Sequence, residues 1–213
     1  TQTLRLYSFF LYLDDFYIYQ YSCTTLIITM DKFKNKYRIQ SVRASWWDYA
    51  SFAPYFITIC TKNREHYFGE IQNGNMILSD IGTIVEKEWI NTFRLRPDMN
   101  LGQGEFIVMP NHFHAIIIIG ENEYNIPSYI SKKSEKTNNN VFGPQSKNLA
   151  AIVRGFKSTV TAHARKIHAE FAWQERFHEH ITKNKDSFIK ISDYIATNPV
   201  RWDEDCYKTI QEI

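Results

Sequence analysis

The sequence predicts an α+β sandwich in which helices cover an antiparallel sheet. Short runs rich in β-branched and aromatic residues alternate with longer segments whose apolar residues recur at helical spacing. The predicted elements follow each other as strand, helix, strand, strand, helix, strand and helix. No internal repeat and no apolar run of membrane-spanning length interrupts this order.

Each predicted element has its own local signal. The predicted elements are a strand at 54–61, a hairpin at 66–78, a helix from Ser79 or Asp80 to about Phe93, strands at 105–109 and 112–119, a helix at 149–171, a short strand near 177–181 and a helix from about Asp186 to Asn198. Pro110-Asn111 reads as a tight turn between two strands, and Pro199 ends the last helix because proline disfavours helical geometry before it. With the hairpin set aside, the first six elements have the order β-α-β-β-α-β, which predicts a ferredoxin-like fold with one extra C-terminal helix.

The chain of 213 residues has the length of one domain with appendages. Residues 1–29 are aromatic, lack a basic leader region and precede Met30, so we interpret them as an upstream extension, with a genuine N-terminal strand or helix as the alternative. N-terminal sequencing of the native protein distinguishes the two. The predicted organisation is then a basic segment at 30–54, a main domain at 55–202 with a flexible polar insertion at 120–148, and a C-terminal tail at 203–213.

Charge and cysteine content restrict the function only weakly. The net charge is +2, so overall charge does not indicate a nucleic-acid partner. Basic residues do cluster between Asp31 and His66 and again between Leu149 and Lys190. Each cluster fits either a solvated face or the footprint of a phosphate backbone. The widely spaced cysteines argue against a zinc ribbon or a disulfide scaffold and fit a reducing cytoplasm.

The stretch VMPNHFHAIIII (108–119) places two histidines one residue apart at the start of a very apolar strand. Residues i and i+2 of a strand point to the same face, so the imidazoles of His112 and His114 stand side by side. Such a pair can bind a divalent metal if a third ligand arrives from elsewhere. The alternative is a pair of histidines hydrogen-bonded at a strand end. His178 and His180 repeat the spacing.

The final helix carries two further candidates. Tyr194 and Asn198 are four residues apart and therefore share a helix face. An asparagine oxygen is a fair ligand for Mg²⁺ or Mn²⁺, and a tyrosine hydroxyl is a possible nucleophile for phosphorus. Considered alone, each residue is better explained by an ordinary structural role, which is a core aromatic for Tyr194 and a helix C-cap for Asn198.

Several motifs in order resemble one known family. VMPNHFHAIII resembles the HUH motif (histidine, hydrophobe, histidine) of single-tyrosine transposases. Together with YFITICTKNREHYFGEI, RGFKSTVT followed by WQERFHEHI, and DYIATNPVRW, it resembles the REP-associated tyrosine transposases over about residues 38–202. The resemblance implies a metal-dependent (Mg or Mn) endonuclease and strand transferase acting on single-stranded DNA. Its implied substrate is a short palindromic repeat that folds into a hairpin.

The resemblance also implies roles for single residues. His112 and His114 match the metal-binding histidines, Tyr194 matches the nucleophile, and Asn198 matches a third polar ligand. Tyr194 would attack phosphorus, leaving a 5′-phosphotyrosine and a free 3′-OH, and a 3′-OH would reverse the attack to join strands. The residues expected to hold the DNA backbone are Arg154, Lys157, Arg165, Arg176 and Lys183.

Segment 178–183 departs from the usual pattern of the family. Glu179 and His180 match a recurring acidic–histidine pair whose role stays open between supporting the metal and shaping the DNA groove. His178 stands where relatives often have an aromatic residue. Lys183 stands where they often have arginine, which keeps the charge but loses bidentate phosphate geometry.

Two other functions remain open at this point. One is a non-catalytic DNA- or RNA-binding module on the same fold, with structural histidines. The other is a metal-dependent phosphodiesterase that uses water, with Tyr194 only packing. The expected partners are single-stranded DNA hairpins and no membrane, and the protein is expected to be a monomer or a homodimer.

Overall fold

A central antiparallel sheet organises the computed structural model, which describes residues 47–126, 146–182 and 184–208. In chain order the elements are β1 (Ala53–Cys60), β2 (Gly69–Gln72), β3 (Asn75–Leu78), α1 (Asp80–Arg94), β4 (Leu101–Met109), β5 (His112–Ile119), α2 (Leu149–Ala164), β6 (His178–Ile181) and α3 (Lys185–Thr197). A 3-10 helix, Asn198–Glu204, follows α3 directly. The expectations for residues 1–46, for most of the 120–148 insertion, for Lys183 and for the end of the tail lie outside the described residues.

The four strands of the sheet have the order β4-β5-β1-β6, and each neighbouring pair is antiparallel. β1 leads through α1 to β4 with β5 between them, and β5 leads through α2 to β6 with β1 between them. These two interleaved β-α-β units are the arrangement of a ferredoxin-like sandwich. The predicted α+β fold with an extra C-terminal helix is therefore confirmed. β2 and β3 form a separate hairpin between β1 and α1.

The two faces of the sheet have different roles because side chains alternate along each strand. One face packs against α1 and α2 and forms the core: the ring of Phe113 lies 5.1 Å from that of Trp89 and 5.4 Å from that of Phe156. The opposite face carries His112 and His114 and is covered by α3. The candidate site therefore lies between the sheet and the C-terminal helix.

Two element boundaries differ by several residues from the sequence-based expectation. α2 ends at Ala164 instead of continuing to Phe171. The chain turns back there because Phe171 is an apolar side chain that enters the core, where its ring lies 5.4 Å from that of Trp173. β4 begins at Leu101, earlier than expected, and a register shift after Gln103 lets the glycine-containing start of the strand pair with β5.

Gly82 in α1 is at a position where a larger residue does not fit. The hydroxyl of Ser79 caps α1 by accepting from the Gly82 N–H at 3.1 Å. A Cβ on Gly82 would lie 2.1 Å from the backbone oxygen of Phe68, which already accepts from the Ser79 N–H. Because this neighbour is backbone, Gly82→Ala is expected to lower the free energy of unfolding by about 1–3 kcal/mol, although alanine is ordinarily the better helix former.

Gly155 in α2 provides the matched control. A Cβ there would meet only the guanidinium of Arg96, which is the far end of a flexible side chain. Gly155→Ala is therefore expected to be neutral or to stabilise the protein by up to about 1 kcal/mol. Urea denaturation of both variants measures the difference, and a Gly82→Ala protein as stable as Gly155→Ala would contradict the packing.

Two of the sequence-based expectations concern compartment. Of the helices that the structure describes, none combines the length and the apolar composition needed to cross a membrane. Among the cysteines of the described ranges, Cys60 is a free, buried thiol.

Candidate metal and nucleophile site

His112 and His114 open β5 and point to the same face of the sheet. Their ring centroids are 4.5 Å apart, and both side chains are buried. This placement follows from the turn at Pro110-Asn111, which ends β4 and starts β5 directly at His112. The two imidazoles stand side by side, as the i, i+2 spacing predicts.

The Nδ1 atom of each imidazole is hydrogen-bonded to a neighbouring side chain. His114 Nδ1 lies 2.8 Å from Thr58 Oγ1, and His112 Nδ1 lies 2.9 Å from Asn111 Oδ1. An amide oxygen only accepts, so His112 carries its hydrogen on Nδ1 and keeps a lone pair on Nε2. Such a partner behind the ring is typical of histidines that bind metals, because it fixes the tautomer and the ring orientation.

Asp205 provides the third group of the site, and the sequence-based reasoning missed it. Its Oδ2 lies 3.7 Å from His112 Nε2. One ligand atom from each of His112, His114 and Asp205 fits within a cluster whose atoms are all within 4.8 Å of one another. The predicted domain boundary at residue 202 placed Asp205 in a tail. The signal available in the sequence was the acidic run that follows Trp202.

Asn198 stands beside this cluster, where its side chain is close enough to the Asp205 carboxyl to lower the pKa of that carboxyl. It is the residue that follows the last turn of α3 and is buried, and its Oδ1 has no hydrogen-bond partner among the described residues. His112 Nε2 and Asp205 Oδ2 are likewise buried without a hydrogen-bond partner there. Polar atoms left unpaired in a protein interior are costly unless a ligand satisfies them. Imidazole nitrogens with carboxylate and amide oxygens form a donor set that fits a divalent cation.

Burial determines the charge state of the cluster. It lowers the pKa of His112 well below the ordinary histidine value, and the neighbouring His114 lowers it further. Burial also lowers the pKa of His114 to about 3, with a smaller contribution from His178. The pKa of the Asp205 carboxyl is raised by burial, although the Tyr207 backbone N–H acts against this rise. Both imidazoles are therefore neutral at physiological pH, which is the form that binds metals.

The metal-free protein is expected to become less stable as the pH falls below about 6.5. In the unfolded chain His112 and His114 bind protons near this pH, whereas the folded protein keeps His114 neutral down to about pH 3. The unfolded state binds more protons throughout this window, so the free energy of unfolding declines as the pH falls. Urea denaturation in the presence of a chelator measures the free energy of unfolding at each pH. In the double variant His112→Gln/His114→Gln this free energy should decline less steeply as the pH falls. An unchanged slope would show that the two histidines do not cause the decline.

Two tyrosines complete the surroundings of the histidines. The Tyr194 hydroxyl, on α3, lies 3.3 Å from His114 Nε2, and its ring packs edge-on against Phe56. The buried ring of Tyr207 lies 4.9 Å from that of His112 and 5.7 Å from that of His114. α3 therefore brings a hydroxyl to Nε2 of His114, the nitrogen that Thr58 does not contact, and residues 205–207 contribute Asp205 and Tyr207 to the site.

β6 brings one of its two candidate residues to the site face. Glu179 pairs with Ile57, whose side chain belongs to the core, so Glu179 is on the face away from the imidazoles. His180 pairs with Phe56 on the site face. His178 shares that face and pairs with Thr58, the partner of His114. The H-x-H spacing thus places these two histidines beside the cluster and separates Glu179 from it.

The basic residues of α2 are not brought together with the imidazoles, because α2 covers the other face of the sheet. Arg154 is exposed there. Lys157 Nζ donates to the backbone oxygen of Gln174 at 2.6 Å, and Arg165 Nε donates to that of Phe171 at 3.0 Å. These two side chains hold the segment that follows α2. Arg176 is exposed near the start of β6.

Comparisons with known proteins identified a related sequence and a solved structure with a similar fold. No model of a known protein family matches the chain. An uncharacterized protein of Haemophilus influenzae is 37% identical over 170 residues, which cover 78% of this chain and 91% of the relative. A solved structure of a REP-associated tyrosine transposase bound to a REP hairpin superposes with a TM-score of 0.51 at 21% identity, covering 77% of this chain and 74% of that one.

The two similarities support different statements. The identity and coverage of the Haemophilus influenzae protein establish common family membership. The likeness to the transposase structure establishes the fold. The chain therefore belongs to the same family as the Haemophilus influenzae protein, and it combines the sequence motifs with the fold of a REP-associated tyrosine transposase.

Proposed function

We propose that the protein is a metal-dependent endonuclease and strand transferase that cuts single-stranded DNA through a covalent tyrosine intermediate. The observation that carries the proposal is the position of the Tyr194 hydroxyl, 3.3 Å from a nitrogen of the buried His112–His114–Asp205 cluster. A nucleophile and a metal-binding cluster are the two parts that this reaction requires. The fold shared with a transposase supports the same class of reaction.

The residues proposed to hold the metal are His112, His114 and Asp205, with the Oδ1 of Asn198 as a further oxygen donor. Oxygen-rich donor sets with imidazole suit Mg²⁺ or Mn²⁺. When bound, the ion supplies Lewis-acid polarisation of the scissile phosphate and stabilises the charge that develops on it. Thr58 and Asn111 hold the two imidazoles in place through their Nδ1 atoms.

Tyr194 is the proposed nucleophile. Its oxygen forms a bond to phosphorus while the bond from phosphorus to the 3′ oxygen breaks, and the tyrosine proton ends, in net terms, on that 3′ oxygen. The products are a 5′-phosphotyrosine and a free 3′-OH. Attack by a 3′-OH on the phosphotyrosine reverses the bond changes and joins strands. No nucleotide cofactor is needed, because the phosphodiester is conserved in the covalent link.

The proposed substrate is a DNA hairpin formed by a short palindromic repeat. The transposase with the same fold was solved bound to a REP hairpin. Mixing the purified protein with Mn²⁺ and a labelled single-stranded hairpin library tests the proposal. A metal-dependent band that persists on a denaturing gel is the expected result. Hairpin binding without any such band, at every metal concentration, would favour the non-catalytic binding module.

Asp205→Asn is expected to weaken Mn²⁺ binding because it removes the one carboxylate of the cluster while keeping its shape. Replacing a residue that hydrogen-bonds to a metal ligand typically lowers the metal affinity about 10- to 100-fold. Because Asp205 is itself a proposed ligand, its replacement should lower the Mn²⁺ affinity by at least as much. Isothermal titration calorimetry measures it. Asp203→Asn is the matched control, because the side chain of Asp203 is 91% exposed and outside the cluster. Equal affinities of the two variants would remove Asp205 from the site.

A further inference from the structure

Asn111 lies in the turn between β4 and β5 and joins three segments of the site. Its side chain is fully buried. Its Nδ2 donates to the backbone oxygens of Tyr207 at 2.7 Å and Arg64 at 3.1 Å, and its Oδ1 accepts from His112 Nδ1 at 2.9 Å. Both amide hydrogens and the amide oxygen therefore have partners. The sequence alone indicated only a turn residue at this position.

These partners allow one orientation of the Asn111 amide. The two groups around Nδ2 are carbonyl oxygens, which only accept. A flipped amide would place its own oxygen against both of them and lose two hydrogen bonds. The oxygen of Asn111 therefore faces His112, whose Nδ1 must carry the hydrogen. The lone pair of His112 is thereby fixed on Nε2, the atom that lies 3.7 Å from Asp205 Oδ2.

Asn111 is also linked to the carboxylate on the opposite side of this gap. The Tyr207 residue that accepts from Asn111 also donates its backbone N–H to Asp205 Oδ1 at 2.6 Å. The other carboxylate oxygen, Oδ2, faces His112 Nε2. Hydrogen bonds thus run from His112 through Asn111 and Tyr207 to Asp205. At the two ends of this series, His112 Nε2 and Asp205 Oδ2 face each other, and both are buried without a hydrogen-bond partner among the described residues.

The segment after β1 supports the same arrangement. Asn63 and Arg64 both have left-handed backbone conformations, with φ of 54° and 55°. This conformation is unfavourable for residues other than glycine and persists where surrounding contacts hold it. Asn111 holds the Arg64 carbonyl, and the Arg64 guanidinium in turn donates to the backbone oxygen of Cys206 at 3.0 Å. Residues 205–207 are therefore held from two directions.

We propose that Asn111 is a positioning residue that fixes the distance and orientation between His112 and Asp205. Its oxygen determines which nitrogen of His112 is free, and its amide hydrogens hold the segment that carries Asp205. The proposal rests on the proposed function, because the group so positioned is the metal site. The proposal also predicts that this one buried side chain affects both the metal affinity of the site and the order of residues 198–208.

Three variants separate the two halves of this role. Asn111→Leu removes all three hydrogen bonds. Asn111→Asp keeps an oxygen for His112 but lacks the two amide hydrogens that reach Tyr207 and Arg64. Thr58→Val removes the partner of His114 Nδ1, which takes no part in the hydrogen bonds that link Asn111, Tyr207 and Asp205. Mn²⁺ affinity is measured by calorimetry, and hydrogen–deuterium exchange of residues 198–208 is measured on the metal-free protein.

Asn111→Leu is expected to lose about 10- to 100-fold in Mn²⁺ affinity, as is typical for a residue that orients a metal-bound histidine, and to exchange faster across residues 198–208. Asn111→Asp should exchange faster with a smaller loss of affinity. Thr58→Val should lose affinity at unchanged exchange. If Asn111→Leu does not fold, Asn111→Asp provides the exchange test.

Two results would overturn the proposal, and they are distinguishable. Wild-type Mn²⁺ affinity in a folded Asn111→Leu protein, or unchanged exchange in Asn111→Asp, would remove the role of Asn111 and leave the metal site intact. No Mn²⁺ binding by the wild-type protein would remove both the metal site of the proposed function and this role.

Discussion

Tyr194→Phe is expected to abolish the covalent protein–DNA adduct and to reduce hairpin cleavage by at least about 10³-fold, as expected when a nucleophile is removed. The variant deletes one oxygen, the atom that lies 3.3 Å from His114 Nε2. It keeps the ring, whose edge packs against Phe56 and His114, so the fold and the metal site should persist. A denaturing gel with a labelled hairpin measures the adduct, and calorimetry checks that Mn²⁺ still binds.

The matched control is Tyr124→Phe. Tyr124 lies beyond the far end of β5, where its hydroxyl donates to Asp98, so removing this oxygen should leave adduct formation unchanged. Cleavage by Tyr194→Phe at the wild-type rate would refute the tyrosine mechanism. In that case a metal-dependent phosphodiesterase that activates water, with Tyr194 only packing, would be the better account.

His114→Ala is expected to remove Mn²⁺ binding and thereby to reduce the cleavage rate at least about 10³-fold, because metal ions contribute several kcal/mol of charge stabilisation to phosphoryl transfer. The variant removes one nitrogen of the cluster and also the hydrogen-bond partner of Tyr194. Binding of the folded hairpin should be retained, because shape and phosphate contacts on other residues supply it. Calorimetry and a cleavage assay measure the two effects.

His163→Gln is the control for this second prediction. His163 lies in the last turn of α2, next to Glu88 and on the other side of the sheet, so the substitution should change neither metal affinity nor cleavage. If His114→Ala still binds Mn²⁺ as the wild type does, the histidine pair is structural. Retained hairpin binding together with absent cleavage in the wild type would then favour the non-catalytic module.

Local patterns were enough to predict most of the fold. The run HFHAIIII begins and ends β5 at the residues expected, because its apolar side chains and i, i+2 histidines suit a central strand and little else. The four-residue spacing of Tyr194 and Asn198 likewise predicted a shared side: the Tyr194 hydroxyl lies at His114, and Asn198, the residue after α3, lies near the Asp205 carboxyl. These features depend on residues close together in the chain, and such periodicities can be read directly from the sequence.

The missing parts of the site depend on contacts between distant segments. Asp205 reaches His112 only because the 3-10 helix after α3 folds back over the sheet, and nothing in the local sequence specifies that path. The amphipathic pattern of α2 showed that Lys157 points away from the core, but not that α2 covers the face opposite to the histidines. Charge and periodicity therefore indicate a basic helix face without indicating which side of the sheet it occupies.

The measurement that tests the central proposal most directly is mass spectrometry of the trapped adduct. The protein is reacted with a hairpin and Mn²⁺, the DNA is trimmed by nucleases, and the proteolytic peptides are sequenced. The proposal predicts a single modified peptide in which Tyr194 carries a 5′-linked nucleotide. A nucleotide attached to another residue, or cleaved DNA without any protein-linked nucleotide, would contradict it.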